Sequence, residues 1–381
     1  MKTAARRILL LSAYDAVSHR LWRERLSRLF EQDSWTQLTL APRHFSWRVR
    51  GNSLLWALTE KETLEQDYDL LIATSMVDLS ALRGFVPSLA QIPTLVYFHE
   101  NQFAYPSNRQ TRPNVEHQLV PLYAALCADH IAFNSHYNRH TFLAGAEALI
   151  KKLPDKIPAT CYQQLLQSTV VPVPLAQPAP SIAGKTEGPL QVIWNHRWEY
   201  DKGPELLYQV VSKLIEAKLP IRLHMVGEKF KQIPAQFPKL IECLENYSKQ
   251  CGIPLGRIGY IESKTDYADL LASCDVVLST ALHDFQGLAV QEACLAGCIP
   301  LAPNDLAYPD YLPQRYLYPL QADDQKTAQV ILEHLSRLVA AKSLNAMPPL
   351  VDLSAYMGPA IITKYDEVFN TLLAKEKAET R

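Results

Sequence analysis

Short, unbroken apolar runs recur along this chain, each followed by a segment long enough for a helix. The runs are Ile8–Leu11, Leu70–Thr74, Thr94–Phe98 and His130–Asn134 in the first half. Gln191–Asn195, Ile221–Val226, Arg257–Ile261, Val276–Ser279 and Ile299–Ala302 follow in the second. An antiparallel strand with one wet face alternates apolar and polar residues. A run apolar on both faces fits a strand covered by helices above and below, as in a parallel α/β sheet. The predicted fold class is therefore α/β.

The stretch VVPVPLAQPAPSIAGKTEGP, Val170–Pro189, divides the rhythm in two. Proline removes backbone donors and fixes φ, so this seam is predicted to lie outside helices and sheets. At about 150 residues per domain, 381 residues allow two or three domains. We expect a first domain over 1–172, a linker over 173–188 and a second domain over 189–381. The Ala355–Lys377 segment carries one apolar stripe (Ile361, Ile362, Tyr365, Val368, Phe369, Leu372), so this last helix has the option of packing back on the first domain. Two such Rossmann-like domains would face each other across a cleft, and ligands of open α/β sheets bind beyond the carboxyl ends of strands.

Composition excludes several classes. With 38 Lys and Arg against 39 Asp and Glu, bulk charge does not hold this chain to nucleic acid. Seven cysteines without a CxxC pair argue against a disulfide scaffold or structural zinc. Arg6 and Arg7 precede an apolar run that Ser12 and Asp15 end too soon for a secretory signal, and no span reaches membrane length. A cytoplasmic location is expected. No GxGxxG follows the first strand, and no GxxxxGK[ST] or HExxH occurs. Asp323-Asp324 reads as a solvated pair.

The polar residues after the runs carry the chemistry. His99-Glu100-Asn101-Gln102 follows Thr94–Phe98. His196 to Gly203 follows Gln191–Asn195, with Arg197 and Lys202 available to an anion and Pro204 opening a helix. Thr280 to Leu288 follows Val276–Ser279. There Gly287 permits a close approach, and Asp284 and Glu292 stand eight residues apart. A histidine, two cations, a glycine-opened helix and two carboxylates fit a nucleotide sugar better than NAD or ATP. Surface acids and solvated cations remain the plain alternative for each loop alone.

The segments YFHENQFAYP, FNSHYNRHTFL, NHRWEYDKGPE and STALHDFQGLAVQEA resemble the retaining, two-domain GT-B glycosyltransferases of the GT4 kind. More narrowly, they resemble the tRNA-queuosine α-mannosyltransferase family, over essentially the whole chain. The resemblance implies transfer of mannose from GDP-mannose to queuosine at the wobble position of tRNA. It implies catalytic roles for His99, Arg197 and Lys202. Donor contacts fall on Asp284, Phe285, Gln286, Gly287, Leu288 and Glu292. Asp15, His19, Glu100, Asn101, Gln102 and Asn134 fall on the acceptor side. No metal or other cofactor is implied. Asp284 departs from the glutamate usual in the wider family, and the loop Ser12–His19 lacks its glycine pair.

Residues 1–50 hold ten Lys or Arg against four acids, interleaved with Trp22, Trp35 and Trp47. This local excess suits an RNA backbone, or simply a solvated helical face. Two other functions stay open: a GT4-like transferase with another donor or acceptor, and an inactive RNA-binding or scaffold protein of the same fold. No membrane partner is expected, and the oligomeric state is left undetermined.

Overall fold

A computed structural model describes residues 5–105, 115–181, 183–230 and 233–379. Lys2 of the basic segment, Pro106 of the HENQ segment and Ile182 of the linker lie outside the described residues. The chain divides into two units, Met1–Ala176 with Ser354–Arg381, and Gln177–Leu353.

The first unit is a six-stranded parallel sheet ordered β2-β1-β3-β4-β5-β6. Its strands are β1 (Arg7–Ser12), β2 (Ser34–Thr39), β3 (Leu70–Thr74), β4 (Thr94–Phe98), β5 (His130–Phe133) and β6 (Thr169–Val170). Every residue of β3 and β4 is buried, as runs apolar on both faces require. The edge strand β2, SWTQLT, was not among the expected strands. It is only half-buried, and its polar residues break the apolar signal. Two-residue β6 is a second addition, and it brings Val170, the first residue of the seam, into the sheet beside Phe133.

The helix Gly358–Glu379 belongs to this unit. Its Tyr365 accepts a hydrogen bond from Trp22 Nε1 at 2.8 Å and donates to the Pro172 carbonyl at 3.0 Å. Phe369 lies against Phe30, and the Arg6 guanidinium covers both rings while pairing with Asp33 and Asp366. The apolar stripe read from the sequence thus packs within the first unit, against Trp22, Phe30 and β3.

The second unit repeats the plan with β7 (Leu190–Trp194), β8 (Ile221–Val226), β9 (Ile258–Gly259), β10 (Val276–Leu278), β11 (Ile299–Pro303) and β12 (Leu317–Tyr318). Its order is β12-β11-β10-β7-β8-β9, again parallel throughout. Strand order reverses between β7 and β10. That switch point is where a doubly wound sheet leaves room for a ligand beyond its strand ends. Asp323 and Asp324 are both exposed, as expected of a solvated pair, and Asp323 in addition caps the helix Asp324–Ser343, accepting from Lys326 N at 2.8 Å. Among the described residues, no helix is long and apolar enough to cross a membrane.

Burial of five histidines has a measurable consequence. His19, His99, His196, His224 and His283 are all buried. Burial pushes His19, His196, His224 and His283 down to about 4 and His99 well below its ordinary 6.5. The unfolded chain binds protons at these sites near pH 6.5, whereas the folded chain does not until near pH 4. Folding stability should therefore fall as pH drops through that window, by about 1.4 kcal/mol per pH unit for each histidine fully titrating only when unfolded. Urea unfolding measured from pH 7.5 to 4.5 should show this decline beginning near pH 6.5. A flat profile would contradict the buried, neutral state of these rings.

Candidate active site

In the first unit, the site is built at the carboxyl end of β4. His99 emerges there with its ring stacked on His19, centroids 4.1 Å apart and planes 23° from parallel. Trp22 and Tyr97 meet the His99 ring edge-on at 4.7 and 4.8 Å. Trp22 also stacks on Tyr97 at 4.5 Å, so the Tyr365 hydrogen bond described above fixes the wall behind His99. Both His99 ring nitrogens and His19 Nδ1 are buried without a hydrogen-bond partner among the described residues. Burial, then the neighbouring His19, keeps His99 uncharged. A neutral imidazole offers one donor and one acceptor to a hydroxyl-rich ligand.

An amide network holds the backbone that carries His99. Asn134 Nδ2 donates to the His99 carbonyl at 2.9 Å, and Asn138 Nδ2 donates to Asn134 Oδ1 at 2.8 Å. Asn101 Nδ2 donates to Asn138 Oδ1 at 2.8 Å, while its own Oδ1 accepts from the Phe103 and Ala104 amides. Asn101 and Asn134, expected on the acceptor side, thus commit their amides to shaping the HENQ turn. Ser135 caps the following helix through Asn138 N. The Glu100 carbonyl accepts from Ser75 Oγ, and Gln102 is half-buried. Asp15 is held by Arg23, whose Nε and Nη2 lie 3.0 and 2.9 Å from its two oxygens.

That last pair belongs to a wider sorting of the basic segment. Arg6, Arg23 and Arg50 are paired with carboxylates, and Arg25 donates to the Pro174 carbonyl. Arg20, Arg28 and Arg43 are exposed. Of the three tryptophans, Trp22 is core, Trp35 donates to the Phe30 carbonyl, and Trp47 is exposed. Much of the sequence-level charge excess is therefore internal to the fold.

In the second unit, the loops after β7 and β10 are sewn together at the switch point. Thr280 Oγ1 accepts from Trp194 Nε1 at 3.0 Å and donates to the Lys202 carbonyl at 2.8 Å. The Leu282 and His283 amides both donate to the Asp201 carbonyl, at 2.9 and 3.1 Å. Gly203 makes this approach possible. Its φ is +64°, and a Cβ there would lie 1.9 Å from the Thr280 carbonyl oxygen.

Lys202 sits inside this seam with only 10% of its side chain exposed. Its ammonium donates to the His283 carbonyl at 2.7 Å and lies 3.4 Å from Asp201 and 3.8 Å from Asp284. Arg197 is more open, pairing with Glu199 at 2.9 Å and standing 3.8 Å from Asp201. Asp284 accepts from the Gly287 amide at 3.0 Å and from the Tyr308 hydroxyl at 3.1 Å. Burial alone would raise its carboxyl, but Lys202, His196 and these donors hold it below the usual carboxylate range. His196 and His283 stay neutral through burial and the nearby Lys202.

Gly287 opens the helix Leu288–Leu295 with φ of +75°, and a Cβ there would meet Tyr311 and Tyr308 at 2.7 and 2.9 Å. Asn195 Nδ2 donates to the Ala289 carbonyl and to Tyr267, pinning this helix to the end of β7. Glu292 is half-buried on the same helix, and its charge, after burial, helps push the Tyr267 hydroxyl up. Phe285 meets His283 edge-on, Gln286 donates to Gln291, and Leu288 is half-buried. The expected donor residues are thus brought together around one helix amino end with two cations beside it. That arrangement can hold a diphosphate. Tyr308, Ser279 and Tyr267 were missed by sequence reasoning, because their hydroxyls join the site only through strand neighbours. Among the described residues, no three His, Cys, Asp or Glu side chains are grouped to hold a metal ion.

Known proteins resemble the chain over both of its units. A family model described as tRNA-queuosine alpha-mannosyltransferase N-terminal matches residues 7–175, and one described as glycosyl transferases group 1 matches residues 178–338. The tRNA-queuosine alpha-mannosyltransferase of Drosophila melanogaster is 27% identical over 398 residues, spanning 99% of this chain and 100% of the relative. An α,α-trehalose 6-phosphate synthase from Burkholderia multivorans superposes with a TM-score of 0.64 at 14% identity, covering 100% of this chain and 99% of that one. A UDP-forming α,α-trehalose-phosphate synthase from Burkholderia xenovorans gives 0.64 at 13% identity, covering 97% and 99%. At such identities, the two synthases speak for the fold alone. Matched in each of its two units, the chain is similar to the tRNA-queuosine alpha-mannosyltransferases and is a glycosyltransferase of the GT-B fold.

Proposed function

We propose that this chain transfers mannose, with retention, from GDP-mannose to the queuosine of a tRNA in the cytoplasm. The observation that carries the reading is Lys202, a buried ammonium at the switch point beside the amino end of the helix Leu288–Leu295. The family and the Drosophila relative's name support the sugar and the acceptor.

Breaking the sugar–phosphate bond builds positive charge on the sugar and negative charge on the departing diphosphate. Lys202, Arg197 and the first amides after Gly287 are fixed in advance around the place assigned to that diphosphate, which lowers the barrier electrostatically. Glu292 is assigned to the donor ribose and Asp284 to the cation beside it and to the sugar. His99 is assigned to a hydroxyl of the transferred sugar, as a neutral hydrogen-bonding ring. In this reading the donor phosphate takes the acceptor proton as the new bond forms on the face the diphosphate leaves. A carboxylate nucleophile has no part in it. The two cations do the charge neutralisation, and no divalent ion is invoked.

The direct test incubates the purified protein with a panel of nucleotide sugars and with queuosine-containing or queuosine-free tRNA, followed by mass analysis of nucleosides. Hexose on queuosine with GDP-mannose alone is the expected result. Turnover with a different donor would refute the mannose assignment and keep the transferase.

Within that assay, Lys202→Ala should lower kcat/KM by about 10²–10³, the scale of removing one preorganised stabiliser. Lys202→Arg should recover only part, since a guanidinium fork places its charge differently from an ammonium. Arg197→Ala should act in the same direction, and the double variant should be less than additive. A folded Lys202→Ala protein with near-normal kcat/KM at low GDP-mannose would remove the diphosphate role.

The exposed Arg20, Arg28 and Arg43 generate a separate expectation for the acceptor. Replacing each by alanine should reduce the salt-dependence slope of tRNA affinity by about one for every phosphate no longer neutralised, leaving donor KM unchanged. Filter binding across a salt series reads this directly, and an unchanged slope in the triple variant would return the patch to ordinary surface.

A further inference from the structure

We propose that Tyr308 is a positioning residue of the donor site, acting through Asp284 on Lys202 and on the amino end of the helix Leu288–Leu295. This rests on the donor-site reading above and adds to it a residue outside the loops that carry the family motifs.

Four side chains form one chain of hydrogen bonds across the ends of three adjacent strands. His196 follows β7, Ser279 follows β10, and Tyr308 follows β11. His196 Nε2 lies 3.0 Å from Ser279 Oγ, Ser279 Oγ lies 2.7 Å from the Tyr308 hydroxyl, and that hydroxyl lies 3.1 Å from Asp284 Oδ2. The chain has only one consistent direction. An ionised carboxylate can only accept, so Tyr308 gives its proton to Asp284. Ser279 must then donate to Tyr308, and His196 must donate from Nε2 to Ser279. The Ala281 amide fills the second acceptor position of Ser279 at 3.3 Å. His196, Ser279 and Tyr308 are all buried, with Tyr308 at 0% exposure, so water does not compete for these bonds.

The terminus of the chain controls the site. Asp284 Oδ1 accepts from the Gly287 amide, and its Oδ2 stands 3.8 Å from Lys202 Nζ. The other nearby carboxylate, Asp201, has no hydrogen bond to either oxygen among the described residues. Asp284 is thus the acid whose position is dictated by directional bonds, and it fixes a negative charge at ion-pair distance from Lys202, whose own hydrogen bond goes to the carbonyl of the neighbouring His283. The Tyr308 ring also packs where a Cβ on residue 287 would lie, setting both the carboxylate and the turn that opens the helix. A glutamate, one methylene longer, would not meet the Gly287 amide and the Tyr308 hydroxyl from the same backbone position. The aspartate and the tyrosine fit one another.

Tyr308→Phe deletes only the hydroxyl. We expect a folded protein whose donor kcat/KM falls about tenfold, the scale of one hydrogen bond to a charged group, while acceptor KM stays within about twofold. Ser279→Ala should shift the same parameter in the same direction, and adding it to Tyr308→Phe should cost less than about twofold more. Asp284→Glu should impair rather than improve transfer. Unchanged donor kinetics in folded Tyr308→Phe, or in Ser279→Ala should the first variant fail to fold, would overturn the proposal. A second readout does not depend on any donor: long-range ¹H–¹⁵N spectra of the histidines in the wild-type protein should show His196 protonated at Nε2. Protonation at Nδ1 would overturn the chain's direction and with it the proposal. If the wild-type protein transferred no sugar from any nucleotide, the function reading would fail, while the tautomer would still decide the proposal.

Discussion

The contact between the loops after β7 and β10, made at Gly203 and Thr280, is what the proposed donor site depends on. One backbone approach too close for any side chain brings Lys202, Asp201 and Arg197 to the same place as His283, Asp284 and Gly287. Each loop alone would be a solvated turn. Joined, they bury an ammonium between two carboxylates and a carbonyl, an arrangement costly to desolvate and therefore held by many directional bonds. The neutral state of His196 and His283 belongs to the same arrangement, because burial first, and then the positive charge of Lys202, disfavours their protonation.

The first unit solves a different problem. It places a neutral imidazole at a strand end with its hydrogen-bonding atoms uncommitted, and it does so by packing aromatic surfaces. His19, Trp22 and Tyr97 surround His99, and Tyr365 from the far end of the chain fixes Trp22. The asparagines at 101, 134 and 138 then fix the backbone that His99 rides on. Both units thus use buried polar side chains to orient a small number of groups beyond the strand ends.

Much of this was legible in the sequence, for physical reasons that also explain what was not. Strands buried on both faces write themselves as apolar runs, so β1, β3, β4 and β5 and five strands of the second unit were visible. The edges β2, β6 and β12 are half-exposed or two residues long and carry no such mark, and their pairing comes only from the assembled sheet. Arg197, Lys202, Asp284 and Glu292 stood out because charged residues follow apolar runs. Tyr308 and Ser279 did not, since a hydroxyl inside an apolar neighbourhood looks like packing until its partners arrive from other strands. The reverse error affects the basic amino-terminal segment. Its charge excess was plain, but Arg6, Arg23 and Arg50 are consumed by Asp33, Asp15, Asp78 and Glu116, two of which lie beyond residue 50.

The central claim is that a backbone contact, rather than any one charged side chain, assembles the diphosphate site. Calorimetric titration of GDP into wild-type and Gly203→Ala proteins tests it most directly. A methyl group at residue 203 would lie 1.9 Å from the Thr280 carbonyl oxygen, which must move away and part the two loops. The account predicts that the wild-type protein binds GDP and that the folded Gly203→Ala protein binds it at least about tenfold more weakly, about 1.4 kcal/mol. Equal affinity in the two folded proteins would contradict it.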